Sequence, residues 1–246
     1  MIIDGLAVVI LLVVFVSALV RTVFGFGNAL VAMPLLALAG IGMKTATPLV
    51  ALLSLVLAIA ILLQGWRKVD IRSAWRLLAT TALGIPIGTI IVKGAYDSVG
   101  KIFLALIIIG FSGYSLSKPK LLELRDEWMA YPFGFIAGIL GGAYNSNGPP
   151  VAIYGTLRRW QPDEFRATLQ GYFLPSSVII VAGHGLGGLW SPAVLNYFLL
   201  SLPVTLLAIL VGKRLHRFIL PGRFDHLIHI MLILIGIMLL FQVVFS

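Results

Sequence analysis

Long apolar runs alternate with short polar interruptions along almost all of the 246 residues. A bilayer crossing takes roughly 20 apolar residues, so this pattern predicts membrane-spanning helices. Residues 3–41 are apolar for 39 positions, interrupted only by Asp4, Arg21 and Phe24-Gly-Phe-Gly-Asn28. That is about two crossings, so the segment is predicted to enter and return as a hairpin, or to cross and re-enter. Spans follow at 45–64, 77–92 and 102–117, separated by an aromatic and basic rim at Trp66, Arg67, Lys68, Arg72, Trp75 and Arg76. The stretch 118–127 carries six charged residues in ten. The first unit is therefore taken as 1–120 and a linker as 121–127.

After the linker the order repeats. A second apolar run, 128–157, is broken by Gly141-Gly-Ala-Tyr-Asn-Ser-Asn-Gly-Pro-Pro150, and spans are predicted at 167–185, 192–212 and 226–245. Proline and glycine interrupt a helix, and irregular backbone persists at membrane depth only where protein covers it or it lines a cavity. Both breaks are thus the first places to expect a solute. Shifted by 120 residues, Phe15-Val-Ser-Ala18 falls on Phe135-Ile-Ala-Gly138 and Phe24-Gly-Phe-Gly-Asn28 on Tyr144-Asn-Ser-Asn-Gly148. Shifts of 122–124 place Ser54 on Ser176, Gly88 on Gly212 and Lys93 on Arg217.

Charge placement orients the halves. If 128–157 crosses once, the loop cations divide ten to seven; if it dips and returns, only Lys44, Lys93 and Lys101 stay on one face and fourteen lie on the other. Positive loops favour the cytoplasm, so the hairpin is preferred. A hairpin plus three spans is an odd number of crossings, which turns the second half upside down. The fold class expected is an all-α polytopic membrane protein of two inverted-topology repeats, 1–120 and 128–246. Loops 65–76, 158–166 and 213–223 and the linker 118–127 would then be cytoplasmic.

Composition agrees and narrows the chemistry. The chain is 60% hydrophobic, 11% charged, with a mean hydropathy of +1.06. Its charge of +9 would point to nucleic acid in a soluble chain; here it is assigned to loops facing anionic lipid. Met-Ile-Ile-Asp4 lacks the positive start of a signal peptide and is expected to be retained. There is no cysteine, no His-Glu-x-x-His and no Walker loop, so no enzyme, metal, cofactor or nucleotide chemistry is expected. All nine acidic residues fall in loops or at segment ends, which argues against proton coupling through Asp or Glu. His184, His216, His226 and His229 read as interfacial.

The glycine-rich breaks Phe24-Gly-Phe-Gly-Asn-Ala-Leu-Val-Ala-Met-Pro34 and Gly138-Ile-Leu-Gly-Gly-Ala-Tyr-Asn-Ser-Asn-Gly-Pro-Pro150 resemble the signature of the sulfite exporter TauE/SafE family of bacterial anion transporters. The resemblance covers essentially the whole chain; the first half departs from the family pattern in Asn28 and Ala29, where many members carry further glycines, and in Arg21. It implies transport, with export expected, of sulfite, thiosulfate or a small organosulfonate such as sulfoacetate across the inner membrane.

The residues support an anion independently. A half-helix starting after a membrane break presents free N–H groups and a positive dipole end. Candidate binding residues are Gly25, Gly27 and Asn28 at the first break and Asn145, Ser146, Asn147, Gly148 and Pro149 at the second. The asparagines either cap broken helix ends or meet the solute, and both roles can coexist. Arg21 either pairs the anion, holds backbone carbonyls of the opposite hairpin, or snorkels to the interface. Gln170 and Tyr172 follow on the next span, where Gln170 shares a face with Ser177. Electrogenic export around a midplane site is expected; an anion channel, or a sodium- or proton-coupled carboxylate carrier, stays open, as does a homodimer.

Overall fold

The computed structural model describes residues 5–92, 123–144, 147–218 and 221–244, and 105–117 in part. Asn145 and Ser146 therefore lie outside the described residues, as do Lys93, Asp97, Lys101, Lys118 and Lys120 of the loops. Among the described residues all regular structure is helical, with nine helices: α1 Gly5–Phe24, α2 Asn28–Leu38, α3 Met43–Gly65, α4 Ile71–Val92, α5 Ala130–Tyr144, α6 Gly148–Leu157, α7 Pro162–Leu186, α8 Pro192–Phe218 and α9 Pro221–Val244. The described parts of 105–117 are helical as well. Among the described residues three helical stretches are long and apolar enough to cross a membrane: Gly5–Phe24, Lys44–Lys68 and Pro192–Phe218.

The two shortest helices, α2 and α6, follow the two breaks, and they end alike. At α2 the chain turns through Gly40 (φ +79°), with Ile41 N–H on the Leu36 carbonyl at 2.9 Å and Gly40 N–H on Ala37 at 3.0 Å. At α6 it turns through Arg159 (φ +59°), with Trp160 N–H on Gly155 at 3.2 Å and Arg159 N–H on Thr156 at 3.1 Å. Both are Schellman caps, which satisfy the last carbonyls and fold an apolar residue back onto the helix. Ile41 enters the core beside Leu36. Trp160 lies over Gly155, where a Cβ would collide with its indole.

The chain forms two compact units, Met1–Val69 with Arg166–Phe218, and Asp70–Phe165 with Ile219–Ser246. Neither is a half of the sequence. In the first, α1 packs on α2, α3 and α8, and Ile10, Val14, Leu36, Leu49, Leu53, Val181 and Val194 share one core cluster. Gly212 of α8 lets Thr22 of α1 approach, and His216 Nδ1 lies 3.0 Å from the Val23 carbonyl. His216 and His229, expected at the membrane interface from their places near helix ends, are buried against protein. Burying the α1–α8 seam is what draws His216 inward.

In the second unit α4 packs on α5 at van der Waals limits. A Cβ on Gly84, Gly134 or Gly138 would strike the backbone of the facing helix. Small residues bring backbones this close where lipid, not water, is the solvent. Thr80 and Thr81 hydroxyls then donate to the Tyr131 and Gly134 carbonyls, each at 2.8 Å. The linker is tied down too: Arg158 Nη1 donates to the Leu124 and Arg125 carbonyls at 3.0 and 2.7 Å, and Arg76 pairs with Glu127. The Arg76 hydrogen bond lowers the Glu127 carboxyl below its ordinary value, against a smaller opposing effect of burial.

Two outcomes follow from this packing. Gly138→Ala should destabilise the solubilised protein by about 1–3 kcal/mol, whereas Gly183→Ala, with nothing within 4 Å of its new methyl, should be neutral or mildly stabilising; equal melting shifts would contradict the close α4–α5 seam. A depressed carboxyl contributes stability above its unfolded pKa and loses it as pH falls through the folded value, so the loss sets in below about pH 4.5. The Tm of Glu127→Gln should therefore fall less steeply than that of the parent between about pH 5 and about pH 3.

Candidate functional site

The first break is a three-residue turn, Gly25-Phe26-Gly27, between α1 and α2. Gly25 (φ +88°) and Gly27 (φ +100°) hold left-handed backbone that other residues avoid. Gly25 has a second constraint, since a Cβ there would come within 3.1 Å of the Arg166 Cα on α7. Phe26 is fully buried and anchors the turn.

Four polar side chains from α1, α2, α3 and α7 converge on this turn. Arg21, in the last turn of α1, donates from Nε and Nη2 to Gln170 Oε1 at 3.3 and 2.9 Å, and from Nη1 to Asn28 Oδ1 at 2.9 Å. Gln170 Nε2 donates to the Gly25 carbonyl at 2.6 Å, closing a loop around the break. Asn28 Nδ2 donates to Ser54 Oγ at 2.8 Å, which donates to the Val50 carbonyl at 2.7 Å. The Phe173 ring covers a guanidinium face at 4.8 Å, a contact of about 0.5–2 kcal/mol.

The electrostatics of the cluster are unbalanced. Arg21 is 3% exposed, and no acidic side chain reaches it among the described residues. The described carboxylates are those of Asp70, Glu123, Asp126 and Glu127 in or beside loops and of Asp163 and Glu164 in the first turn of α7. The C-terminal end of α1 and the N-terminal end of α2 meet here, and their roughly half-unit dipole charges are opposite in sign. They largely cancel, which leaves the arginine as one full positive charge. Of its five N–H groups, three are used, so each terminal nitrogen keeps one without a protein acceptor among the described residues. The α2 N-terminus adds N–H groups of its first turn that have no partner inside the helix.

Ser54 is the central residue of α3, Gln170 lies in the first half of α7, and Gly212 and His216 sit in the last two turns of α8. The partners of Arg21 are two side-chain amides, not backbone carbonyls.

The remaining candidates stand elsewhere. Tyr172 is fully buried on another face of α7, its ring edge-on to Phe173 at 5.3 Å. Ser177 is buried, and Ser176 bonds back to the Tyr172 and Phe173 carbonyls at 3.1 and 3.0 Å. Asn147, Gly148 and Pro149 belong to the second unit. Asn147 precedes α6 without a side-chain cap bond and packs where a methyl on Gly141 would lie 3.1 Å from its Cβ. Pro149 and Pro150 have no N–H, so α6, buried along its whole length, offers fewer backbone donors at its start than α2. Ser54 and Phe173 are the cluster members that sequence reasoning did not nominate as ligands.

The family model described as Sulfite exporter TauE/SafE matches residues 10–239. A curated protein of Cupriavidus necator, named "Probable sulfite/organosulfonate exporter TauE", is 26% identical over 205 residues, covering 79% of this chain and 78% of that protein.

Gln170→Leu should remove two acceptor contacts from Arg21 and the donor to Gly25, leaving buried groups unsatisfied at a cost of about 1–3 kcal/mol. Thermal unfolding in detergent should show it, and Gln170→Glu, which keeps the acceptor and adds a counter-charge, should recover much of the loss. A Gln170→Leu protein as stable as the parent would contradict the cluster.

Proposed function

The chain belongs to the sulfite exporter TauE/SafE family, and from that premise we propose that it exports a small sulfur oxyanion, binding it at Arg21 in the broken-helix cluster. The protein is a membrane transporter and not an enzyme. The observation that carries the reading is the buried guanidinium with two N–H groups unmatched and no carboxylate beside it among the described residues. A planar fork suits two oxygens of sulfite, thiosulfate or a sulfonate such as sulfoacetate. The curated relative's name, a sulfite and organosulfonate exporter, fits the same class.

Gln170 and Asn28 hold the fork in place by accepting from it, and Phe173 blocks one face. Gly25 and Gly27 keep the turn narrow, so that the α2 N–H groups reach the anion. By the repeat, Asn145, Ser146, Asn147, Gly148 and Pro149 of the second break are taken as further substrate contacts. Similar Schellman caps on α2 and α6, and Ser54 and Ser176 each bonded back one turn, support the repeat.

An inside-negative potential drives an anion outward by about 2.3 kcal/mol per charge per 100 mV, so net export from the cytoplasm needs no coupling ion. Arginine remains charged throughout and serves as electrostatic attractor, not as proton carrier.

Flux into proteoliposomes tests the proposal. Sulfite or sulfoacetate uptake should saturate, should accelerate with a potential that pulls anions across, and should fall by at least about tenfold in Arg21→Gln. Arg21→Lys should be impaired too, because the fork is lost while the charge is kept. Non-saturating flux would mark a channel; a requirement for sodium, or full activity of Arg21→Gln, would overturn the mechanism.

A further inference from the structure

The outward face of α8 carries a feature that anion transport leaves unused. Leu210, Lys213, Arg214 and Arg217 line an open groove of about 400 Å³ near the C-terminal end of the helix. The face of α8 turned to the core is made of Ser201, Thr205, Ala208, Ile209, Gly212 and His216. At 100° per residue the groove lies on the opposite side. It is therefore out of reach of Arg21, which belongs to the α1 side of the seam. Above it on the same side run Leu199, Leu206, Leu207 and Leu210, which are 61%, 54%, 54% and 66% exposed.

Three cations stand together here with no ion pair among the described residues. The helix C-terminus accounts for about half a charge, which leaves most of the trio's charge uncompensated. The neighbouring leucine ridge lies on a helix long and apolar enough to span a membrane. A cationic pocket at the end of such a ridge matches one ligand: a phosphate headgroup whose acyl chains lie along the leucines.

We propose that this groove is a binding site for an anionic phospholipid, held by Lys213, Arg214 and Arg217 through its phosphate and by Leu206 and Leu210 through its acyl chain. The positive-inside asymmetry places this end of α8 in the cytoplasmic leaflet, where anionic headgroups attract basic residues. Either a second copy of the chain or a free anion would compete for the same surface. Neither matches both halves of it, since a free anion makes no use of the leucines.

Native mass spectrometry of the full-length protein in detergent, titrated with phosphatidylglycerol, phosphatidylcholine or inorganic phosphate, separates these occupants. Phosphatidylglycerol should be retained at a concentration at least about tenfold lower than phosphatidylcholine. The triple variant Lys213→Gln, Arg214→Gln, Arg217→Gln should erase that preference. Arg214→Lys with Arg217→Lys should keep it, and Arg67→Gln with Arg72→Gln, which removes two cations elsewhere, should leave it unchanged. Equal retention of the two lipids, or an undiminished preference in the triple variant, would overturn the proposal. So would adducts of inorganic phosphate that the triple variant loses, or a dimer that the triple variant converts to monomer without altering lipid retention.

Discussion

A buried guanidinium with no carboxylate beside it among the described residues is the constraint from which the first unit can be understood. Leaving such a cation in an apolar interior costs several kcal/mol unless its N–H groups find acceptors. Gln170 and Asn28 supply them, and each needs a defined neighbour: Gln170 must reach across the break to Gly25, and Asn28 must reach Ser54. Four helices are thereby pinned to a three-residue turn. Glycine at 25 suits the same constraint, because α7 passes so close that a Cβ there would lie 3.1 Å from the Arg166 Cα.

Hydrogen bonds solve the solvation of Arg21 but not its charge. The two helix ends at the break cancel, so the cluster remains positive overall. A site that is incomplete without an anion is a reasonable design for a transporter, since the same charge that draws the ion in holds only one partner at a time. Each unit draws on both halves of the sequence. α1 packs on α8 and α4 on α5, so each broken segment's first helix is seated on a helix from the other half of the sequence.

Much of the helical layout was legible because membrane burial leaves a coarse record: long apolar runs, interfacial tryptophans such as Trp66 and Trp75, and polar residues conspicuous by their rarity. Arg21, Asn28 and Gln170 stood out for that reason. Their partnership did not, since Arg21 and Gln170 are 149 positions apart and hydropathy fixes which segments span, not which ones touch. Ser54 was visible only as a repeat match, because a lone serine in a span ordinarily bonds back to its own helix, as this one also does. Phe173 is one of 14 phenylalanines, and nothing local distinguishes a ring that faces a cation. The burial of His216 likewise follows from the α1–α8 seam, which no local pattern announces.

The most direct test of the central claim is thermal stabilisation of the purified protein by sulfite, thiosulfate, sulfoacetate, taurine, sulfate and acetate, in the parent and in Arg21→Gln. A ligand that binds only the folded state raises Tm with occupancy. The account predicts stabilisation by a sulfur oxyanion, not by zwitterionic taurine, and its loss in Arg21→Gln. Undiminished stabilisation of Arg21→Gln by the same anion would show that the anion binds elsewhere and that Arg21 serves the fold alone.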